Sequence, residues 1–485
     1  MKSIKKNYVY NTAYQILALL TPLITTPYIS RVLGAEGIGL YSYSASIVAY
    51  FVLVATLGTA RYGQREISYH QENRKERSII FWELWILVMI ISVVAVIAYL
   101  LFCYFYKLPL IYIVQVISVL SVGVNIVWLL QGMEDFKNIV IRNMIIKVVD
   151  VAFIFIFVKK PEDLIIYVIG IVGINFISNL FLWPLIKKYV DKTPLSTLSP
   201  FRHLRATIKL FIPTIAISVY TVLDKTMIGI ITQSSAQNGY YEQAMKIVKI
   251  TLVIVTSLGS VMIPRIGFLF SSNKSQKMQK YMYRGYNFVW FMGIPLCFGI
   301  IGISRNFVPW FFGPGYTAVI PILCISSLLI LAIGINATTG VQYLIPTKRE
   351  GLFTKTVIIG AGTNFVFNLL MIPRFAAVGA IIASVIAEST IAIIQLIYVR
   401  KELSIRRILK MMAHYLFAGI CMLGILLLEN RFMKVSILNT VLMVLSGGMV
   451  YFLVLFILKD VFFIDNARLI LKKMKAFFFS KKMTS

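Results

Sequence analysis

The sequence predicts an all-α polytopic membrane protein of about fourteen transmembrane helices, with two pseudo-symmetric six-helix halves followed by two further helices. Three observations carry this expectation. Of the 485 residues, 59% are hydrophobic and only 14% charged, far more apolar than the roughly 45–50% of a soluble domain. The apolar residues fall in runs near the length of about 20 residues that crosses a bilayer. The basic residues collect in alternate loops between those runs.

Apolar windows between charged or Gly/Pro punctuation lie near 8–29, 41–59, 80–102, 110–130, 143–158 and 164–186. Lys2, Lys5 and Lys6 ahead of the first window superficially resemble a secretory signal. That run is too long for such a signal and lacks a small-residue cleavage site, so it is expected to stay as the first span. After the polar stretch KKYVDKTPLSTLSPFRHLRAT come windows near 208–231, 244–263, 287–303, 318–337, 354–371 and 378–399. Two more, near 412–428 and 437–458, precede a basic tail. The expected organisation is a six-helix half over 1–190, a cytoplasmic linker over 191–207, a second half over 208–400, and two helices with a cytoplasmic tail over 401–485.

The net charge of +29 would suggest nucleic acid in a soluble chain. Loops on the side of the N-terminus hold 37 of the 48 Lys and Arg, the intervening loops only 8, and Lys225, Lys246 and Lys249 remain inside spans. This asymmetry places both termini in the cytoplasm by the positive-inside rule and makes a nucleic-acid partner unnecessary. The bilayer is the partner the composition demands.

Displacing the chain against itself by 200 residues pairs Gly39 with Gly239, Tyr41 with Tyr241, Ile47 with Ile247, Val48 with Val248 and Thr56 with Thr256. Such internal similarity favours a duplicated bundle, the parallel-repeat plan of some secondary transporters.

Signatures of catalysis are scarce. There is no P-loop, HExxH or G-x-S-x-G, and His70, His203 and His414 lie at loops or a helix end. Cys103, Cys297, Cys324 and Cys421 sit in apolar runs without metal-ligand spacing and read as packing residues. No enzyme activity, cofactor or metal is expected.

Ionisable groups at membrane depth are the informative residues, since each is costly in hydrocarbon and faces the bundle interior. Asp224 and Lys225 are adjacent, so they project about 100° apart and are not one closed pair. Lys246 and Lys249 share a helix face, readable either as interfacial anchors or partners of Glu242, or as a cationic wall for an anionic cargo. Arg31 lies at the outer end of the first span. Arg61 and Arg65 lie at the return of the second and Arg265 at the matching return of the second half; all three serve equally well as topogenic charges. Lys147 and Asp150 read as an intrahelical pair, Glu388 as an embedded acid and Glu83 as an interfacial anchor. Pro22, Pro27 and Pro213 interrupt spans and permit hinges. Tyr28, Tyr41, Trp128, Trp183 and Trp310 read as interfacial belts.

The segment TPYISRVLGAEGIGLYSYSASIVAYFVL, the RYGQREI return, VLDKTMIGIITQSSAQNGYYEQAMKI and VMIPRI resemble the polysaccharide transport family. These are the Wzx-type flippases of the multidrug/oligosaccharidyl-lipid/polysaccharide superfamily. The resemblance implies a flippase that moves an undecaprenyl-diphosphate-linked oligosaccharide from the cytoplasmic to the outer leaflet of a bacterial plasma membrane, for capsule, O-antigen or a related glycan. It carries over Arg31 with Gly34, Gly37 and Gly39, and Asp224, Lys225, Tyr241 and Lys246; Lys249 rests only on its shared face with Lys246.

The expected mechanism is alternating access through a cationic cavity lined by Arg31, Arg61, Arg65, Lys225, Lys246, Lys249 and Arg265, with the prenyl tail left in lipid. Membrane potential acts on charge at about 2.3 kcal/mol per charge per 100 mV, and a proton or sodium ion at Asp224 or Glu388 is the competing energy source. Polysaccharide polymerase and chain-length machinery are the expected protein partners. A cation-coupled exporter of small molecules and a non-transport scaffold of glycan assembly are the alternatives.

Overall fold

The computed structural model describes the backbone of residues 4–468, and the side chains of 14–468 except 210, 212–220 and 260. The described residues form helices and connecting turns, with no strand among them. The first group comprises α1 (Ile4–Thr56), α2 (Thr59–Tyr69), α3 (Arg74–Phe105), α4 (Leu110–Val114), α5 (Val116–Val124), α6 (Val127–Gly132), α7 (Phe136–Phe157), α8 (Leu164–Leu180) and α9 (Ile186–Tyr189). Then come α10 (Leu204–Thr232), α11 (Ser235–Thr256), α12 (Gly259–Ser271), α13 (Ser275–Phe312), α14 (Val319–Ser326), α15 (Leu328–Asn336), a π-helical stretch Ala337–Leu344, α16 (Glu350–Val399), α17 (Ile405–Phe432) and α18 (Ile437–Ile457).

Nine helical stretches among the described residues are long and apolar enough to cross a membrane. Two of these contain a break: α1 at Gly34 (φ 67°) and α16 at Ala376 (φ 48°), so each supplies two spans. A positive φ costs glycine nothing, which explains why the break in α1 is built on Gly34. Helices α7, α10 and α11, of 22, 29 and 22 residues, are also long enough at about 1.5 Å per residue and carry the embedded charges. Together these reach the fourteen spans that the sequence predicts.

Contacts divide the chain into two compact units, one of residues 1–243 with 368–380, the other of 244–367 with 381–485. In the first, α1 packs on α3, α5, α7 and α10. An aromatic and aliphatic core of Phe81, Leu84, Trp128, Leu129 and Leu130 forms beneath α2 and α3. In the second, α13 packs along α17, α18 and α15 around Tyr286, Trp290, Tyr415 and Tyr451.

The polar segment after α9 is tied down rather than loose. Asp191 pairs with Arg74 at 2.8 Å and accepts from Trp82 through its backbone oxygen at 2.9 Å. Glu83 is not an interfacial anchor: it is 1% exposed, accepts from the Ser199 amide at 2.7 Å and pairs with Arg202 at 2.6 Å. His203 bridges the Glu83 carboxylate and the Tyr62 hydroxyl, at 2.9 Å each. A buried carboxylate must be satisfied this fully to be tolerated.

The run 110–130 is not one continuous helix. It breaks at Gln115 and again at Asn125–Ile126, where Asn125 is extended (φ −80°, ψ 111°). The backbone groups freed by the second break are satisfied locally, as hydrocarbon demands. Trp85 donates to the Gly123 oxygen at 3.1 Å, Trp183 to the Val124 oxygen at 2.9 Å, and Asn125 accepts from the Val127 amide at 3.0 Å. Trp183 is therefore a backbone cap, and Trp128 is a buried core residue stacked on Phe81; neither serves only as a belt.

Candidate functional site: a polar cluster at membrane depth

Helices α10 and α11 form a hairpin around Gln233, which takes the left-handed conformation (φ 51°). The hairpin brings residues about eight positions before the turn against residues about eight positions after it. Two consecutive residues of α10 meet two consecutive residues of α11. The Tyr241 hydroxyl donates to Asp224 at 2.6 Å, and Lys225 pairs with Glu242 at 2.5 Å. Asp224 also accepts from Asn368 at 2.7 Å. The two charges have separate partners, as their 100° divergence requires.

Glycine at two positions lets α11 approach the second part of α1. A Cβ on Gly39 would lie 1.6 Å from the Ser235 oxygen, and one on Gly239 would lie 2.1 Å from the Ala35 oxygen. Residues 35 and 39 are the 200-residue counterparts of 235 and 239, so the internal repeat meets itself at this crossing. The close approach brings Ser42 within 3.2 Å of Glu242 and lets Gln243 donate to Ser30 at 2.6 Å. Thr226 joins Ser46 and Tyr50, at 3.1 Å each.

This cluster mixes signs. Asp224 is 6% exposed, while Lys225 and Glu242 retain 19% and 17% of their side-chain surface. Such a pair, partly exposed, can exchange partners with an incoming ion at lower cost than a fully buried pair.

The remaining candidates are placed as follows. Arg31 is exposed and its guanidinium donates to the Pro27 oxygen at 3.1 Å. Pro22 and Pro27 lie within the first part of α1, and the Pro213 side chain lies outside the described residues. Arg61 is exposed on α2, and Arg65 pairs with Glu66 at 2.9 Å over the Tyr62 ring. On α11, Lys246 is half-buried and Lys249 exposed. Arg265 is exposed over the Tyr281 and Phe268 rings. Glu388 accepts from Asn336, whose carboxamide also reaches the Glu388 backbone oxygen at 3.1 Å. Lys147 and Asp150 form an intrahelical pair at 3.6 Å.

Among the described residues no group of His, Cys, Asp and Glu is arranged to hold a metal ion. Reading charges alone missed Ser30, Ser42, Gln243 and Asn368, all buried, because uncharged polar residues are common in spans. Equal distance from the α10–α11 turn was the available signal for Glu242 as the partner of Lys225.

The architecture is that of multi-span membrane transporters. It matches the solved structure titled "Lipid II flippase MurJ, inward closed conformation" with TM-score 0.73 at 15% identity, over 94% of this chain and 99% of that one. It also matches "Inward-facing conformation of a multidrug resistance MATE family transporter of the MOP superfamily" with TM-score 0.59 at 13% identity, over 81% and 98%. The chain belongs to the polysaccharide biosynthesis protein family, whose model matches residues 4–270. A relative from Escherichia coli strain K12, named "Putative O-antigen transporter", is 22% identical over 415 residues, covering 82% of this chain and 97% of that one.

Proposed function

We propose that this protein flips undecaprenyl-diphosphate-linked oligosaccharide repeat units from the cytoplasmic to the outer leaflet, supplying a surface polysaccharide, with both termini cytoplasmic. The observation that carries the reading is a polar, ion-bearing cluster at membrane depth, Asp224, Lys225, Tyr241, Glu242 and Ser42, in a chain of the polysaccharide biosynthesis family with a transporter fold. The E. coli relative named as an O-antigen transporter supports the same cargo class.

The diphosphate and sugars cannot cross about 30 Å of hydrocarbon unaided. In this mechanism Lys225 leaves Glu242 for the incoming diphosphate, and Lys246, Lys249, Arg31, Arg61, Arg65 and Arg265 supply further positive charge along the route. The prenyl tail stays in lipid while the two halves rock between open states. Displaced Glu242 then needs a proton or a new donor, and Asp224 and Glu388 are the acids positioned to take up a coupling cation. The polymerase and chain-length machinery would receive the product.

Complementation of a flippase-deleted host tests this reading. Wild-type chain restores surface glycan, whereas Lys225→Ala and Lys246→Ala at normal protein levels give at least a tenfold loss and accumulate cytoplasmic-leaflet lipid-linked intermediate. Full rescue by both variants would remove the lysines from the route, and silence of the wild type in the host that supplies its own glycan would overturn the flippase reading. The competing reading, a cation-coupled exporter, gains weight from the acids Asp224 and Glu242 in the cluster. It requires small-molecule resistance to follow Asp224 and glycan to be unaffected.

A further inference from the structure

The break in the α4–α6 span opens a cavity of about 380 Å³ inside the first unit, between the second part of α1, α5 and α8. Its polar lining is Gln115, Ser118, Ser121, Asn125, Asn175 and Asn179, with Tyr41 on the α1 wall, and none of the residues that line it is charged. Polar groups at membrane depth cost free energy unless they face a partner or a wet cavity. Here they share one side of each helix: Gln115, Ser118 and Asn125 recur at helical spacing along the broken span, and Asn175 and Asn179 lie four apart on α8.

Several of these groups are held rigidly by neighbours. Asn179, 1% exposed, accepts from Arg142 at 2.5 Å and donates to the Ser121 backbone oxygen at 3.4 Å. Gln115, also 1% exposed, donates to Ser44 at 3.2 Å. The Asn175 side chain is exposed and faces the space with donors and an acceptor to spare. The Ser121 hydroxyl is sealed from that space and has no hydrogen-bond partner. The fixed groups preorganise the wall, and Asn175 offers its hydrogen bonds to a guest.

Carboxamides and hydroxyls both donate and accept, as sugar hydroxyls do, and an aromatic ring supplies an apolar face for the C–H side of a sugar. A lining without charged residues offers a diphosphate no ion pair, and the Arg142 guanidinium behind Asn179 is taken up by Ser178 and Asn179. The volume falls at the small end of the about 300–1,000 Å³ of ligand sites, enough for a short stretch of sugar rings and too little for a long chain.

We propose that this cavity is a subsite for the neutral sugar portion of the cargo, separate from the charged α10–α11 cluster that meets the diphosphate. The subsite rests on the flippase reading and names where the glycan is held. It makes the first unit selective for hydroxyl-rich, uncharged rings and indifferent to the lipid.

The test uses the full chain in lipid nanodiscs. Radiolabelled repeat unit is released by mild acid from lipid-linked intermediates that accumulate in the protein's own host after deletion of its gene, and its binding is measured by equilibrium dialysis beside sugar-free undecaprenyl diphosphate. Asn175→Val and Gln115→Leu are expected to weaken binding of the free oligosaccharide at least tenfold and to leave undecaprenyl diphosphate binding within twofold, which also certifies the fold. Oligosaccharide affinity unchanged in both variants, or no oligosaccharide binding by a wild-type chain that binds undecaprenyl diphosphate, overturns the subsite alone. Deletion without accumulation of any lipid-linked intermediate overturns the flippase reading instead. Should Gln115→Leu fail to fold, the exposed Asn175→Val decides.

Discussion

The fourth span of each predicted half is broken, and the two breaks are resolved in opposite ways. In the first half, α4–α6 gives way at Gln115 and at Asn125–Ile126, tryptophans cap the freed carbonyls, and amide side chains are left around a cavity. In the second half, α14 and α15 run into the π-helical stretch Ala337–Leu344, and polar groups there pair with one another, although Asn336 Oδ1 and Gln342 Oε1 stay buried without a hydrogen-bond partner. Asn336 reaches Glu388, Tyr286 meets Thr339 at 2.8 Å, and Tyr343 donates to Glu402. A broken span can therefore spend its polar residues on a ligand or on its own packing. π-Helical segments recur at functional sites, yet here the π segment is the better packed of the two regions.

The sharpest contrast comes from glycine substitution. A Cβ on Gly340 would meet the Phe353 ring at 2.8 Å and the Gln395 amide at 2.9 Å, whereas one on Gly123 would meet the flexible Met89 sulfur at 2.6 Å. Gly340→Ala is expected to cost about 1–3 kcal/mol as overpacking, and Gly123→Ala much less, because Met89 can swing away. Thermal unfolding in detergent checks both, and equal costs would break the contrast.

Next in size is Asn336→Leu, which removes the carboxamide that donates to Glu388 and should destabilise by about 1–2 kcal/mol, the range of strong hydrogen bonds between membrane helices. Glu388→Gln in the same background should recover part of that loss. If Asn336→Leu is neutral, the second break is not held together by its polar contacts.

Trp183→Phe deletes the bond to the Val124 oxygen, worth about 0.6 kcal/mol, and adds a packing loss from the smaller ring. Asn175→Val should shift stability by no more than about 0.5 kcal/mol, since its side chain faces the cavity. A large loss there would mean that the amide serves packing and would erase the distinction between the two breaks.

The smallest effect concerns pH. Outside the spans, Glu402 is opposed by burial, but hydrogen bonds from Arg349, at 2.8 and 2.9 Å, and from Tyr343 hold its carboxyl below the usual carboxylate range. A carboxyl with a depressed folded pKa adds stability above its unfolded pKa and loses it as pH falls through the folded value. The melting advantage of wild type over Glu402→Gln should thus be full near neutrality and shrink as pH falls below the ordinary glutamate value of about 4.3. The group is partly exposed, so the advantage is expected to be small. A gap independent of pH would detach the π segment from this ion pair.

Much of the architecture was legible in one dimension. Spanning a bilayer needs a run of about 20 apolar residues, so the fourteen spans are written as length and composition. Gly34 stands at the break in α1, where a positive φ excludes most side chains. The repeat that aligns Gly39 with Gly239 was visible as well, but alignment carries no distance. That these glycines lie at one close crossing, with Ser235 and Ala35 against them, is known only from the fold. Glu83 shows the limit from the other side: a carboxylate near a span end looks like an anchor until Ser199, Arg202 and His203, more than a hundred residues on, are found around it.

What the sequence by itself determined is therefore the membrane class, the number of spans and the positions of costly charges, because transfer free energy depends on residue type and run length alone. Which partner satisfies each charge, and which polar side chains share a cavity, was decided by tertiary structure. Lys225 meets Glu242, Asp224 meets Tyr241 and Asn368, and the amides flanking α5 line one cavity with those of α8, because those pairings depend on how separate helices are packed against one another.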